Sequence, residues 1–239
     1  MSTINITYEF EFQDGKKSIY PLKLDKKTVS LIPDRKVPLP PWTKLEHYPC
    51  DGCPLIKEGR PHCPIAANIS DLIGHFKEIK STEIVRITVY TAERNYWKIG
   101  PVQKGLSSIF GIIMATSNCP VMDFLKPMAR FHLPFSTDEE TIIRSVSMHL
   151  LSQYFIAKKS GQSDLSLDLL DRAYSMAQKV NRGICNRISS VIRESKSQGD
   201  ATSNAVVILD TFSQLLQVEI EKNLESFAPL FEGSPTPPL

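Results

Sequence analysis

The sequence lacks any hydrophobic run long enough to cross a membrane. Its most apolar stretch, GLSSIFGIIMA, covers only residues 105–115, whereas a membrane-spanning helix needs about 20 apolar residues. No basic start followed by an apolar run opens the sequence, so no secretory signal peptide is expected. Together these absences predict a soluble, cytoplasmic protein.

The sequence also lacks an excess of charge of one sign. Its 239 residues carry 28 Lys and Arg against 26 Asp and Glu, a formal net charge of +2. Such a balance gives no strong electrostatic footprint for nucleic acid and does not describe an acidic solubilising protein. Hydrophobic residues at 41% and charged residues at 23% are typical of globular proteins, which argues against global disorder.

Recognised catalytic motifs are missing as well. The sequence contains no glycine-rich phosphate loop, no Gly-x-Ser-x-Gly and no His-Glu-x-x-His. Arg130 and His132 lie just before a predicted helix, but no paired carboxylate or hydroxyl nucleophile stands near them in the sequence. We therefore expect a non-enzymatic protein and name no catalytic residue.

Two segments have the alternating pattern of β-strands. Residues 4–24 alternate apolar and polar side chains around an Asp14-Gly15 turn, which predicts a β-hairpin with one buried face. A second strand pair is predicted at 83–99. The proline-rich passage LIPDRKVPLPPW lies between the two pairs and must be extended outside a sheet.

The rest of the sequence has the periodicity of helices. An apolar stripe from Ile65 to Phe76 predicts the first, and Ser136 with Glu139 forms a predicted capping box for a later one. Further predicted helices cover residues 101–117, 137–158, 164–196 and 201–227.

These elements predict an α+β fold, with an N-terminal hairpin and a small antiparallel sheet with packed helices, followed by a helical C-terminal part. We expect an α+β domain at residues 1–135 that contains a cysteine-rich metal site. A helical region that ends in a helical hairpin is expected at 136–230, and a disordered tail at 231–239.

Three of the five cysteines lie in YPCDGCPLIKEGRPHCPIA, residues 48–66. Cys50 and Cys53 have the spacing with which two thiolates hold one ion from a tight turn, and Gly52 permits that turn. Cys63 is close enough for a loop to bring it back, and Cys119 is the leading candidate for a fourth ligand. In a reducing compartment, clustered cysteines are more often ligands or reactive thiols than disulfides.

The sequence around two of these cysteines is similar. Cys63-Pro64 and Cys119-Pro120 each stand where a helix is predicted to begin, with proline at the favoured first helical position. Free N–H groups at a helix start lower the pKa of a cysteine and hydrogen-bond its thiolate. Two helix N-termini are thus expected to converge on one cluster of sulfur.

Several alternatives remain for this cluster. Zinc is the leading interpretation, and His62, His47 or His132 could replace one thiolate in a mixed ligand set. An iron–sulfur cluster for electron transfer or redox sensing is the second interpretation. Unliganded thiols are the third, and a redox-active Cys50–Cys53 pair is a fourth. Cys185 lies on the apolar side of a helix and is expected in the core.

The C-terminal helices could serve partners. The helix at 172–196 is basic and could bind a phosphate backbone or a membrane surface, which would suit a nucleic-acid-associated regulator, but a solvated face is the simpler interpretation. The two long helices are expected to pair and to bind a protein partner or a second copy of the chain. The basic residues of the first are Arg172, Lys179, Arg182, Arg187, Arg193 and Lys196.

The segments CDGCP, PHCPIAANI and SNCPVMDFLKPMARFHLPF resemble a family of uncharacterised bacterial proteins, known as a domain of unknown function. The resemblance covers about residues 5–157, with the long helical C-terminus outside it or weakly matched. It implies a bacterial origin and a cysteine-bearing core, and it implies no activity.

Overall fold

The computed structural model describes residues 2–35, 37–195, 200 and 224–232. The predicted helix at 201–227 lies outside the described residues except at 224–227, and so does most of the tail predicted at 231–239.

A four-stranded antiparallel sheet forms the N-terminal part, as the alternating patterns predicted. Its strands are β1 (Thr3–Glu11), β2 (Lys17–Asp25), β3 (Ile84–Tyr90) and β4 (Asn95–Pro101), in the order β2-β1-β3-β4. The hairpin register pairs Tyr8 with Tyr20. Pro21 is tolerated within β2 because that strand lies at the edge of the sheet.

Five α-helices lie within the described residues besides the helical residues 224–227. They are α1 (Pro64–Phe76), α2 (Val102–Thr116), α3 (Lys126–Arg130), α4 (Asp138–Ser160) and α5 (Asp168–Ser195). Short 3₁₀ turns lie at Pro41–Thr43, Pro54–Ile56, Asp123–Leu125 and Ala228–Phe231. The predicted α+β class is confirmed. Within the described residues, no helix combines the length and the hydrophobicity that crossing a membrane requires.

The core lies between one face of the sheet and the helices α1 and α2. Tyr8 and Phe10 of β1 are fully buried there, and Phe10 meets Phe76 of α1 edge to face at 5.1 Å between ring centroids. Helix α2 approaches the sheet closely at Gly105, where a Cβ atom would come within 2.5 Å of the Phe10 ring. A larger residue at 105 would therefore force the helix away from the sheet.

The capping box of α4 lies one residue later than the sequence analysis placed it. Thr137 caps the helix: its side chain accepts a hydrogen bond from the N–H of Glu140, and the Glu140 side chain accepts one from the N–H of Thr137. Ser136 instead donates to the carbonyl of Leu133 at 2.8 Å. Both pairs have the same spacing, so the sequence pattern could not distinguish them.

Helix α5 completes the same core rather than standing apart from it. Ala177, Val180, Ile184 and Ile188 are buried in the hydrophobic cluster that contains the sheet and α1. A second, smaller cluster joins the first half of α4 to the start of α5 through Ile142, Val146, Leu170 and Tyr174. The boundary proposed near residue 135 stays a prediction, although the main core crosses it.

Candidate metal-binding site

Four cysteines line one small cavity between α1 and α5. They are Cys50, Cys53, Cys63 and Cys119, and the cavity has a volume of about 10 Å³. The rest of its wall is mainly apolar and comes from Asp51, Gly52, Pro54, Leu55, Ile65, Val121, Met176 and Val180. The structure thus brings together on one cavity all four cysteines that the sequence analysis grouped.

A tight turn presents the first two cysteines. The N–H of Cys53 donates to the carbonyl of Cys50 at 3.1 Å, and Gly52 between them has a φ of +71°. That left-handed conformation favours glycine because glycine has no Cβ atom to clash with the backbone. Pro54 then opens a 3₁₀ turn with Cys53 at its N-cap. Both cysteines are partly buried.

Cys63 is the N-cap residue of α1, as predicted. Pro64 occupies the first helical position, and the side chain of Cys63 is buried with 6% exposure. Its own N–H donates to the carbonyl of Thr43 at 2.9 Å, which fixes the entry of the helix against residues 41–43. We call residues 41–63, from that 3₁₀ turn to this N-cap, the cysteine loop.

Cys119 does not cap a helix, which corrects the expectation from Cys119-Pro120. A turn follows it, with the N–H of Met122 donating to the carbonyl of Cys119 at 2.9 Å, and the first α-helix after it begins at Lys126. The turn nevertheless offers N–H groups to sulfur, because the N–H groups of Val121 and Met122 also reach the Cys119 side chain. A turn therefore supplies donors of the kind that the sequence analysis assigned to a helix start.

Burial keeps the thiols of Cys50 and Cys119 protonated when no metal is present. It raises the pKa of Cys50 to about 12 and that of Cys119 to about 11. The neighbouring cysteines Cys63 and Cys53 raise the pKa of both further, since several thiolates would repel one another in so small a space. A bound cation would remove this obstacle because metal coordination deprotonates thiols.

The thiols as they stand do not form a coordination shell. Across the described part of the chain, no three His, Cys, Asp or Glu side chains are arranged so that they could hold a metal ion. The Cys50 sulfur lies 3.9 Å from the Val180 carbonyl of α5 and is the donor of that contact. Ligation would thus require the cysteine sulfurs to move closer to one another.

Arg187, on the same helix as the lining residues Met176 and Val180, is buried within the protein. Arg187 is among the basic residues for which a solvated helix face was the simpler interpretation, but its side chain has 0% exposure. It donates to the carbonyls of Trp42, Lys44 and Leu45 at 2.7–3.0 Å. Burial lowers the pKa of Arg187, while the charges of Cys63, Cys50 and Cys53 act in the opposite direction. In the sequence, the only signal for this burial was that Arg187 is in register with the apolar stripe of its helix.

The three candidate histidines have other partners. His62 Nδ1 is 2.8 Å from the Thr43 hydroxyl, and His47 Nε2 is 3.0 Å from the hydroxyl of Ser190. His132 Nε2 contacts the buried Tyr8 hydroxyl. None of the three is among the residues that line the cavity. Their substitution for a thiolate therefore has no support in this arrangement and stays a prediction.

Comparison with known families places the chain in one of them. The family model described as "Domain of unknown function (DUF6901)" matches residues 6–232. The chain belongs to this family. The match extends well beyond residue 157, so the helical C-terminus that the sequence analysis placed outside or weakly within the resemblance is part of it. No curated protein and no solved structure matches the chain.

The other basic residues of α5 are not buried as Arg187 is. Arg172, Arg182 and Arg193 are exposed, and Lys179 pairs with Asp51 of the cysteine loop at 3.2 Å. Lys196 lies outside the described residues. Binding of nucleic acid by α5 in this member of the DUF6901 family stays a prediction. Cys185 is half-buried, packs against the main core and is not among the residues that line the cavity.

Proposed function

We propose that this protein binds one zinc ion through the thiolates of Cys50, Cys53, Cys63 and Cys119. The observation that carries the proposal is the convergence of all four on one cavity from three separate places in the chain. Four sulfur ligands are a donor set that structural zinc sites use. Free cysteines that merely occupied a loop would have no reason to meet, and the fifth cysteine does not join them.

The size of the cavity favours a single ion over an iron–sulfur cluster. A volume of about 10 Å³ is about the least that can hold one water molecule. A cluster of several iron and sulfide ions would need the apolar wall from Leu55 to Val180 to move apart. An electron-transfer or redox-sensing function through such a cluster is therefore the second candidate. The metal analysis described below tests it together with the zinc proposal.

The proposed role of the ion is structural. It would tie the cysteine loop to the turn after α2, and closing a long loop through an ion removes many conformations of the unfolded chain. Four protein ligands leave no open position on a tetrahedral ion, as in structural rather than catalytic zinc sites. The function that we infer is that of a non-enzymatic, metal-stabilised protein.

The proposal includes a cytoplasmic location and a protein partner. All five cysteines lie in the described residues and none forms a disulfide, which suits a reducing compartment. The C-terminal helical region would serve the partner, either another protein or a second copy of this chain. Cell fractionation tests the location, and light scattering of the purified chain across a range of concentrations tests self-association.

Metal analysis of untagged protein, purified without oxygen, tests the zinc proposal. We expect one zinc per chain in a colourless solution, and a large loss of zinc in Cys63→Ser and Cys119→Ser. Cys185→Ser is the matched control and should retain its zinc. Iron with sulfide and a brown colour would indicate an iron–sulfur cluster in place of zinc. A metal-free protein that does not bind added Zn²⁺ would overturn the proposal.

A further inference from the structure

The second half of α4, residues 149–160, carries a large apolar surface that is exposed to solvent. Tyr154 is 51% exposed and Phe155 is 56% exposed. Three aliphatic side chains of the same half are exposed with them, namely Leu150, Leu151 and Ile156. In this half of the helix only Gln153 is buried. A contiguous apolar patch on a protein surface marks an interaction site, whereas a single exposed apolar residue does not.

Most of this surface lies on the side of α4 that faces away from α5. Ile142 and Val146 are buried in the cluster that joins α4 to the start of α5. Because an α-helix turns by about 100° per residue, Leu151 and Tyr154 project from the other side of the helix. Helix α4 therefore has a second apolar face. A helix that is apolar on opposite sides needs a packing partner on each of them.

The exposed face of α4 matches itself when the helix is reversed. Its central stripe advances by four and three residues in turn, the spacing with which two helices pack side by side. The stripe consists of Glu140, Arg144, Ser147, Leu151, Tyr154 and Lys158. If two copies of α4 lie antiparallel and cross at the level of His149, each Glu140 is level with Lys158 of the other copy, and each Ser147 with Leu151. A two-fold dimer requires a surface that is complementary to itself in this way.

The charges at the two ends of α4 favour an antiparallel pair over a parallel one. Its first turn carries the exposed carboxylates of Asp138, Glu139 and Glu140, and its last turn carries the exposed Lys158 and Lys159. Antiparallel pairing brings the basic end of each copy to the acidic end of the other, and the dipoles of the two helices then attract as well. Such charge complementarity fixes the register of an interface.

The size of the exposed patch suits a dimer interface. A half-exposed aromatic side chain offers roughly 100 Å² of surface, and the five exposed side chains together offer roughly 400 Å² in each copy. Two copies would thus bury roughly 800 Å² of apolar surface, to which the charged ends of α4 add a polar rim. Specific interfaces bury about 1,200–2,000 Å² in total.

We propose that this protein forms a two-fold homodimer in which the exposed face of α4 packs antiparallel on α4 of a second copy. The inference deepens the proposed partner-binding role of the helical C-terminal region and rests on it: the partner is a second copy of this chain, and the surface is α4. It is independent of the zinc proposal, because no residue of α4 lines the cysteine cavity.

Sedimentation velocity of the full chain over a range of concentrations tests the inference. We expect a monomer–dimer equilibrium that Leu151→Glu weakens by at least roughly tenfold, because a carboxylate would enter the apolar centre of the interface. Ile99→Glu is the matched control: it places the same charge at a similarly exposed aliphatic position on β4 and should leave the dimer unchanged. Both positions are exposed in the single chain, so both variants should fold, and circular dichroism checks this.

Reversal of the end charges tests the antiparallel arrangement. Lys158→Glu and Glu140→Lys should each weaken the dimer by roughly tenfold, because two like-charged pairs replace two opposite ones. An equal mixture of the two variant chains should regain the dimer, since each chain then offers its partner the opposite charge at both ends. A mixture that associates no better than either variant alone overturns the antiparallel pairing.

The remaining outcomes separate this inference from the proposed partner binding. A dimer that Leu151→Glu and Ile99→Glu leave equally intact keeps self-association and overturns α4 as its surface. A monomer at every concentration overturns the dimer and leaves another protein as the partner. A monomer whose Tyr154 and Phe155 are protected from hydroxyl-radical labelling also overturns it, in favour of a cover from within the same chain.

Discussion

Replacement of Gly183 by alanine tests the packing of α5 on Cys50 without altering any proposed ligand. In an exposed helix interior, Gly→Ala stabilises a protein by about 1 kcal/mol, because alanine restricts the unfolded chain and favours the helix. Gly183 is not exposed, and the added Cβ would lie 2.6 Å from the Cys50 sulfur and 3.2 Å from the α-carbon of the same residue. The close packing therefore opposes the gain in helix propensity.

The balance of these two effects depends on whether the Cys50 sulfur can move. A free thiol could rotate away from the new methyl group, although the methyl group would still press on the backbone of Cys50. A sulfur held by a metal would have less freedom to move aside, and overpacking of a tight site typically costs about 1–3 kcal/mol. We expect Gly183→Ala to be destabilised by about 1–2 kcal/mol when zinc is bound, and by less when it is removed.

Denaturant unfolding of the variant, in zinc and in chelator, measures this balance. Asn186→Ala is the matched control, since it alters an exposed position of the same helix without a neighbour to displace. A competition assay with a metal indicator should show weaker zinc binding by Gly183→Ala than by the control. A variant as stable as wild type, with unchanged zinc affinity, would refute the argument that the close contact of Gly183 with Cys50 opposes a larger residue at position 183.

Two further predictions concern the folded protein away from the cavity. Burial lowers the pKa of His132 from 6.5 to about 3, so the unfolded chain binds a proton at pH values where the folded chain does not. Stability is thus complete above about pH 6.5 and should fall by about 2–3 kcal/mol by pH 4.5; urea unfolding of His132→Gln should show a smaller fall, and an equal fall would contradict the assignment. Thr137→Ala should lower the free energy of unfolding by about 1 kcal/mol because it removes the cap of α4. Thermal unfolding should show a smaller loss for Ser136→Ala, and an equal or larger loss would contradict the position of the cap.

The strands and the helices could be predicted because their signals are local. The alternation in residues 4–24 requires one buried face, and the structure supplies it with β1 and β2. The stripe from Ile65 to Phe76 likewise gave α1 within a residue or two. Where two local patterns competed, as with Ser136 and Thr137 at the start of α4, the sequence could not choose.

The cysteine grouping was also within reach of the sequence, but its surroundings were not. The spacing of Cys50, Cys53 and Cys63 suggested a shared site, and Cys119 was added because its sequence context resembles that of Cys63. The helix start expected at Cys119 is a turn, because proline after cysteine is compatible with both.

The sequence by itself determined the α+β class, the helical stripes and the grouping of Cys50, Cys53 and Cys63, because each follows from periodicity or spacing along the chain. Only the tertiary structure decided that α5 lies against the cysteine loop and that Arg187 is buried there. Long-range packing chooses which helix covers which loop, and no local pattern records that choice. A buried arginine and an exposed one look alike in sequence, and only the carbonyls of Trp42, Lys44 and Leu45 show which it is.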